Sequence, residues 1–304
     1  MKNKRILITG AAGFIGTHLT RYLLEKNYDL VLTCHKKKIS REFKNYATCI
    51  SLDLTRKESL ERKTPTDIGA VFHLANFVSN SVSWETVRES FEINAFGTLR
   101  LLCHCRNLGV RRFVSSSSIS VYGAHRQGRI SERHSPEPDT YYGMSKFMGE
   151  LFCERFNTLN TLSAVSLRYS SVYGVGQKPD TVLPLFINKT LKDKEMEIYG
   201  KGKKIQDFVY VKDVVEANYR AFHSNERGSF NIASGKGTNI VDLAHLIKDI
   251  FSSGRSRVVL NSEKPGDNTD YYFDISKAKK KLGYDVNYSL RKGLMDYRGL
   301  ITNT

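Results

Sequence analysis

Short apolar, β-branched runs alternate with longer amphipathic ones through the first two-thirds of the chain. Arg5–Thr9, Leu30–Cys34, Thr48–Leu52, Ala70–Leu74, Arg112–Ser117 and Ala164–Arg168 are each bounded by Gly, Asn, Asp or a charge cluster, which predicts strands. Between them Phe14–Lys26, Leu54–Arg62, Trp84–Leu108 and Tyr142–Thr158 carry helical spacing. Leu99, Leu102, Cys103 and Arg106 share one face of the third, so that helix is amphipathic and not buried all round. Apolar strands separated by helices predict an α/β fold, a doubly wound parallel sheet covered on both faces. The last third is mixed. Thr181–Lys194, Val211–Ser224 and Asn239–Phe251 read as helices, the last opened by an Asn cap. Val258–Leu260 reads as a short strand, and Gly200–Lys204 and Ser262–Thr269 as loops.

Charge sharpens this picture. The 304 residues hold 47 Lys and Arg against 31 Asp and Glu, a formal charge of +16. Such an excess suits a polyanion, a membrane surface or a phosphorylated small molecule. No run of 18 apolar residues exists, which excludes a membrane-spanning helix. The apolar run after the basic Met1–Arg5 breaks at Gly10, so it reads as a strand and not as a secretory signal. Cys34, Cys49, Cys103, Cys105 and Cys153 form an odd set without a Cys-x-x-Cys pair. They read as reduced thiols of a cytoplasmic protein, with no metal site.

The first strand runs into Gly10, Gly13 and Gly16, and a helix starts at once. Gly10 suits a tight turn, Gly13 a close approach of backbone to a diphosphate, and Gly16 the packing of helix on strand. The helix N-terminus then offers unpaired N–H groups to phosphates. The turn therefore predicts dinucleotide binding through Gly10, Ala12, Gly13, Phe14, Ile15 and Gly16 on a Rossmann-type sheet. A ribose-binding carboxylate is expected about 20 residues later, at the end of the second strand. Thr33-Cys34-His35-Lys36-Lys37-Lys38 stands there, with Arg41 following and no carboxylate from Leu30 to Arg41. The expectation is NADP(H), its 2′-phosphate held near His35 and Lys36; NAD(H) is the alternative.

The G-x-x-G-x-x-G spacing, with Thr9 before it, resembles the extended short-chain dehydrogenase/reductase family of sugar-nucleotide epimerases, dehydratases and reductases. The likeness continues in order: Asp53-Leu54, His73-Leu74-Ala75-Asn76, Asn94-Ala-Phe-Gly-Thr98, and Tyr142-Gly-Met-Ser-Lys146 with Glu150 beyond. It implies cofactor contacts from Asp53, Leu54, Leu74, Ala75, Asn76, Asn94, Ser116, Tyr142, Lys146 and Tyr169. It also implies a homodimer through the helices carrying Asn94–Leu108 and Tyr142–Phe156. The dinucleotide-binding domain is expected over residues 1–165 plus about 205–235, with a smaller mixed α/β substrate cap over about 166–204 and 236–304. No linker separates them, so they should share an interface.

Tyr142 and Lys146 are four apart, on one face of a helix. An ammonium beside a phenol stabilises phenolate, so the Tyr142 pKa is expected to fall toward neutrality. Such a phenol can exchange a hydroxyl proton while hydride moves at a nicotinamide. Tyr142 is the expected acid/base and Lys146 its electrostatic partner. Aligning Val121-Tyr122-Gly123 with the family's V-Y-G implies that Ser118 is the third catalytic residue. The family's 4,6-dehydratases carry Asp-Glu next; Ile119-Ser120 stands here, which argues against dehydration.

The substrate side departs from the family. Leu167-Arg168-Tyr169-Ser170-Ser171-Val172-Tyr173-Gly174 resembles L-R-Y-F-N-V-Y-G, with Ser171 for Asn. Gln206 and Lys264 stand where R-D-F-I-Y-V-x-D and R-P-G-D have Arg. An Arg fork grips a diphosphate in a way Lys or Gln does not. Expected substrate contacts are Ser79, Ser118, Ser171, Leu183, Gln206 and Lys264, with Lys201, Lys203 and Lys204 adding charge. The reading favoured is an NADP(H)-linked reductase of a nucleotide-activated 4-keto sugar. A sugar-nucleotide 4-epimerase is the alternative. A non-enzymatic or RNA-binding role is remote, because both Tyr142 and Lys146 are present, and nucleic acid is not expected as a partner.

Overall fold

Ile6 and Ile8 turn to one face of strand β1 (Arg5–Thr9), Leu7 turns to the other, and all three are buried. The same alternation buries Leu30 and Leu32 against Val31, and Ala70 and Phe72 against Val71. Strands covered on both faces need apolar residues at every position, which is why they read as unbroken runs. The structure is a computed structural model that describes residues 4–124, 127–252, 254–266 and 270–302.

After β1 come α1 (Phe14–Glu25), β2 (Leu30–Cys34), β3 (Thr48–Ser51), α2 (Lys57–Lys63), β4 (Ile68–His73) and α3 (Trp84–Ser90). A π-helical turn over Phe91–Phe96 joins α3 to α4 (Gly97–Asn107). Then follow β5 (Arg112–Ser118), β6 (Gly128–Ile130), α5 (Tyr141–Thr158) and β7 (Ser163–Tyr169). The remainder holds β8 (Ser171–Tyr173), α6 (Val182–Leu191), β9 (Met196–Tyr199), β10 (Ile205–Tyr210), α7 (Val211–His223) and β11 (Gly228–Ile232). It closes with β12 (Gly237–Asn239), α8 (Ile240–Phe251), β13 (Val258–Asn261), β14 (Tyr271–Phe273), α9 (Ser276–Leu282) and α10 (Leu290–Thr302).

Seven strands form one parallel sheet in the order β11-β7-β5-β4-β1-β2-β3. Helices α1 and α7 cover one face, and α4 and α5 the other. Strand order reverses between β1 and β4, and open α/β sheets bind ligands outside the carboxyl ends at such a point. A smaller body packs beside this sheet. Helices α6, α8 and α10 enclose a separate core with Tyr173, Phe186, Met196 and Tyr210, and the three-stranded sheet β12-β10-β8 and the pair β13-β9 support it. The expected doubly wound sheet with a mixed α/β cap is the observed fold.

Three local features differ from the sequence pattern. Helix α2 starts at Lys57, not Leu54, because Asp53 Oδ1 accepts from Thr55 N at 2.9 Å and Thr55 Oγ1 at 2.7 Å, which fixes a turn. The long helix is broken in register by its π turn. Strand β11 escaped prediction because Gly228, Ser229 and Asn231 make it polar. Asn231 is buried, and its Oδ1 accepts from the Tyr122 hydroxyl at 2.7 Å.

Candidate active site

Gly10 follows β1 with φ of 70°, and a Cβ there would lie 2.6 Å from Ala75 N beyond β4. A Cβ on Gly16 would lie 2.2 Å from Gly10 O, so the first turn of α1 rests directly on the loop. Gly13 caps α1 with no side-chain bond, and the first turn holds no acidic residue. The helix therefore presents free N–H groups and its positive dipole end to an anion.

A cleft of about 570 Å³ opens in front of this turn. Gly10, Ala12 and Gly13 form one wall, and His35 and Lys36 with Cys34 border it from the end of β2. Asp53, Leu54, Leu74, Ala75 and Asn76 line it from the ends of β3 and β4. Phe77, Glu89 and Ile93 also line it and were not foreseen. Glu89 and Ile93 are four apart, but nothing in the sequence says that their helix folds over the cleft. The Phe14 side chain packs against the cap core and meets His18 edge-on, and Ile15 packs against both the cap core and the sheet core. The cradle and the cleft fit a dinucleotide.

Helix α5 starts at a Thr140 cap, whose Oγ1 accepts from Gly143 N at 3.0 Å. This cap fixes Tyr142 in the first turn and Lys146 one turn on. Ser118 ends β5, accepts from Ser120 N at 3.1 Å, donates to Ser120 Oγ at 3.0 Å, and stands beside the Tyr142 phenol. The three expected catalytic residues thus lie at the β5–α5 junction, but the electrostatics differ from expectation. Burial pushes the Tyr142 phenol up to about 12, against the lowering effect of Ser118. Lys146 is only 4% exposed, and burial pulls its ammonium down to about 8. Its Nζ turns away to donate to Asn76 Oδ1. The helical spacing allowed a contact that Asn76 competes for.

A hydrogen-bond network that sequence reasoning missed ties these pieces together. The His73 ring sits between Thr9 Oγ1 at 2.7 Å and Thr98 Oγ1 at 2.9 Å. Burial and the nearby Lys146 charge pull His73 down to about 3, so it is neutral. Thr98 Oγ1 donates to Asn94 O at 2.6 Å, inside the π turn. Asn94 Nδ2 donates to Phe77 O at 2.8 Å and Ser145 Oγ at 3.0 Å, while its Oδ1 accepts from Phe77 N at 2.8 Å. Asn94 thus positions the wall of the cleft, and Ser116 supports it by donating to His73 O at 2.9 Å. A threonine before the glycine turn and the His73–Asn76 strand end were the available signals.

Residues 6–233 match the family model described as the NAD dependent epimerase/dehydratase family. The chain belongs to this family. An uncharacterized UDP-glucose epimerase of Bacillus subtilis, YtcB, is 32% identical over 306 residues, 95% of each chain. A solved UDP-glucose 4-epimerase of Thermotoga maritima, with UDP-glucose, is 31% identical with a TM-score of 0.90, covering 98% of this chain and 99% of that one. The Thermus thermophilus UDP-glucose 4-epimerase in complex with NAD is 28% identical with a TM-score of 0.86, covering 99% of each. The chain is an NAD(P)-dependent enzyme of the sugar-nucleotide oxidoreductase and epimerase type.

The expectation of NADP(H) is overturned. Solved family members similar to this chain are complexes with NAD. The cleft explains how the basic loop misled. Lys36 Nζ lies 3.5 Å from Glu89 Oε1, and His35 faces Asp53, whose pKa burial raises but Thr55, His35 and Arg56 together bring below normal. Carboxylates from distant parts of the chain, none of them between Leu30 and Arg41, oppose the loop's charge.

Like other parts of this family member's interior, the sheet edge near the cap is densely paired. Glu150 Oε2 accepts from Arg168 Nη2 at 2.6 Å and Ser229 Oγ at 3.0 Å; its Oε1 accepts from Ser117 Oγ at 2.5 Å. Arg168 also donates to the Tyr122 hydroxyl at 2.7 Å and lies over that ring. Tyr169 is buried, its hydroxyl donating to Asn218 Oδ1 at 2.9 Å. On the substrate side, Gln206 donates to Ser171, and Leu183 is buried in the cap core. Ser79 Oγ accepts from Ser81 N at 3.2 Å in the loop after β4. Lys264 lies 3.3 Å from Glu197 Oε2 and over the Tyr199 ring, while Asp267 of the same segment falls outside the described residues. Among the described residues, no helix is long and apolar enough to cross a membrane.

Proposed function

We propose that this protein is an NAD-dependent 4-epimerase of a UDP-hexose of the glucose type, not a net reductase. The observation that carries the reading is the Ser118–Tyr142–Lys146 group beside a glycine-cradled cleft, followed by Ile119 and Ser120 in place of carboxylates. Named relatives support it: they are UDP-glucose and UDP-glucuronate 4-epimerases along almost their whole length.

Gly10, Gly13 and the start of α1 would hold the cofactor diphosphate, and Asp53, Leu54, Ala75 and Asn76 would hold the rest of it in the cleft they line. When bound, NAD supplies a reversible acceptor for the C4 hydride and a positive charge that favours the phenolate. Tyr142 removes the proton of the C4 hydroxyl during oxidation and returns one to the oxygen after the keto sugar turns over. Ser118 holds that oxygen, and Lys146 keeps positive charge near the phenol. Ser171 and Gln206 face the substrate from the cap. A homodimer is part of the reading, because Phe96, Tyr141, Met144 and Leu151 leave an exposed apolar face on the π turn and α5.

The test is to incubate the protein as purified with UDP-galactose and follow UDP-glucose by chromatography. Conversion without change at the nicotinamide absorbance band supports epimerisation; stoichiometric loss of added reduced cofactor would support a reductase. Tyr142→Phe should reduce turnover about 100-fold or more while cofactor binding persists.

A further inference from the structure

Lys146 meets Asn76, not the phenol for which its spacing fits it. Asn76 follows β4, and its two amide ends are fixed by different partners. Nδ2 donates to Ser116 Oγ at 2.9 Å and to Leu74 O at 3.3 Å. A carbonyl only accepts, so the amide cannot be reversed without losing that bond. Oδ1 must therefore face Lys146, whose Nζ donates to it. Ser116 is fixed in turn by His73 O. Among the described residues Asn76 is the one side chain that hydrogen-bonds this ammonium.

The other ionisable groups around Lys146 are Tyr142, Glu150 and Cys153 on α5 and His73 on β4. Glu150 raises the lysine's proton affinity, but its carboxylate is bonded to Arg168, Ser117 and Ser229. His73 is neutral, and Cys153 is a buried thiol whose pKa burial raises. A neutral acceptor on the charged form is the contribution left to Asn76.

We propose that Asn76 is a positioning residue that holds the Lys146 ammonium in place and in its charged form. The proposal rests on the reading of Tyr142 and Lys146 as the working pair. Removing Oδ1 takes a bond from the charged form alone, so the lysine loses its proton at lower pH. A carboxylate in the same place does the opposite.

Two variants and two readouts test this. In the cofactor-free protein, side-chain NMR of labelled lysine follows the Lys146 titration, with Lys146→Met identifying the signal. Asn76→Ala should lower the midpoint by about one pH unit and Asn76→Asp should raise it by a similar amount. In the NAD-loaded enzyme, the alkaline limb of kcat for UDP-galactose should move in the same two directions. Midpoints that stay fixed, or that move the same way in both variants, overturn the proposal. A limb that stays fixed while the NMR midpoints separate overturns its catalytic part. Full activity in Tyr142→Phe and Lys146→Met would instead overturn the working pair itself, whatever the Asn76 variants do.

Discussion

Gln206 donates its side-chain amide to the Ser171 hydroxyl, two residues along β10 from the Phe208 that pairs with Ser171. These are two of the positions at which the chain departs from its family, and they touch. The other end of the amide, Oε1, is buried without a partner among the described residues. Gln206→Ala and Ser171→Ala should each raise KM for the UDP-sugar about 2- to 10-fold with little change in kcat. The double variant should be no worse than the poorer single one, because the pair acts as a unit. Additive losses in steady-state kinetics would separate the two residues.

The Glu150–Arg168 ion pair is sealed between α5 and the sheet, with both side chains 6% exposed. Loss of one partner leaves a buried charge uncompensated. Glu150→Gln or Arg168→Met should therefore cost about 3–5 kcal/mol in urea unfolding. Replacing both residues with methionine should cost less than the two single changes added together, and an equal cost would argue against coupling.

Glu89 competes with any bound phosphate for Lys36. The wild-type chain should bind NAD more tightly than NADP. Glu89→Ala should narrow that preference several-fold by releasing the lysine, within the range of an exposed ion pair. Calorimetry with both cofactors measures it, and an unchanged ratio would dissociate Lys36 from cofactor choice.

The strands were legible because a sheet buried on both faces tolerates few polar residues, as Ile6–Ile8 and Leu30–Leu32 illustrate. The Gly10–Gly16 turn was legible because its steric demands are local. Strand β11 was not, since its buried Asn231 is satisfied by partners far along the chain, Tyr122, Ile130 and Asp274 among them. The Lys36–Glu89 and Lys146–Asn76 contacts were hidden for the same reason: sequence spacing says which side chains share a face, not which distant group bids for them. Proximity along α5 therefore overstated the influence of Lys146 on Tyr142.

Leu151 is 53% exposed in the middle of α5, on the side away from the sheet. If this face joins two copies, Leu151→Lys should shift the protein toward monomer. Sedimentation velocity at micromolar concentration reads the change, and a variant with unaltered mass would move the contact elsewhere.

The π turn at Phe91–Phe96 gives one continuous rod two orientations. An extra residue in a helical turn rotates everything after it by about 100°. The preceding half can thus aim Glu89 at the cleft, while the following half aims Leu101, Leu102 and Cys105 into the sheet. Deleting a single residue there would shorten the rod by hardly more than an ångström, yet it would set the two halves in phase and force one of these faces to miss its target.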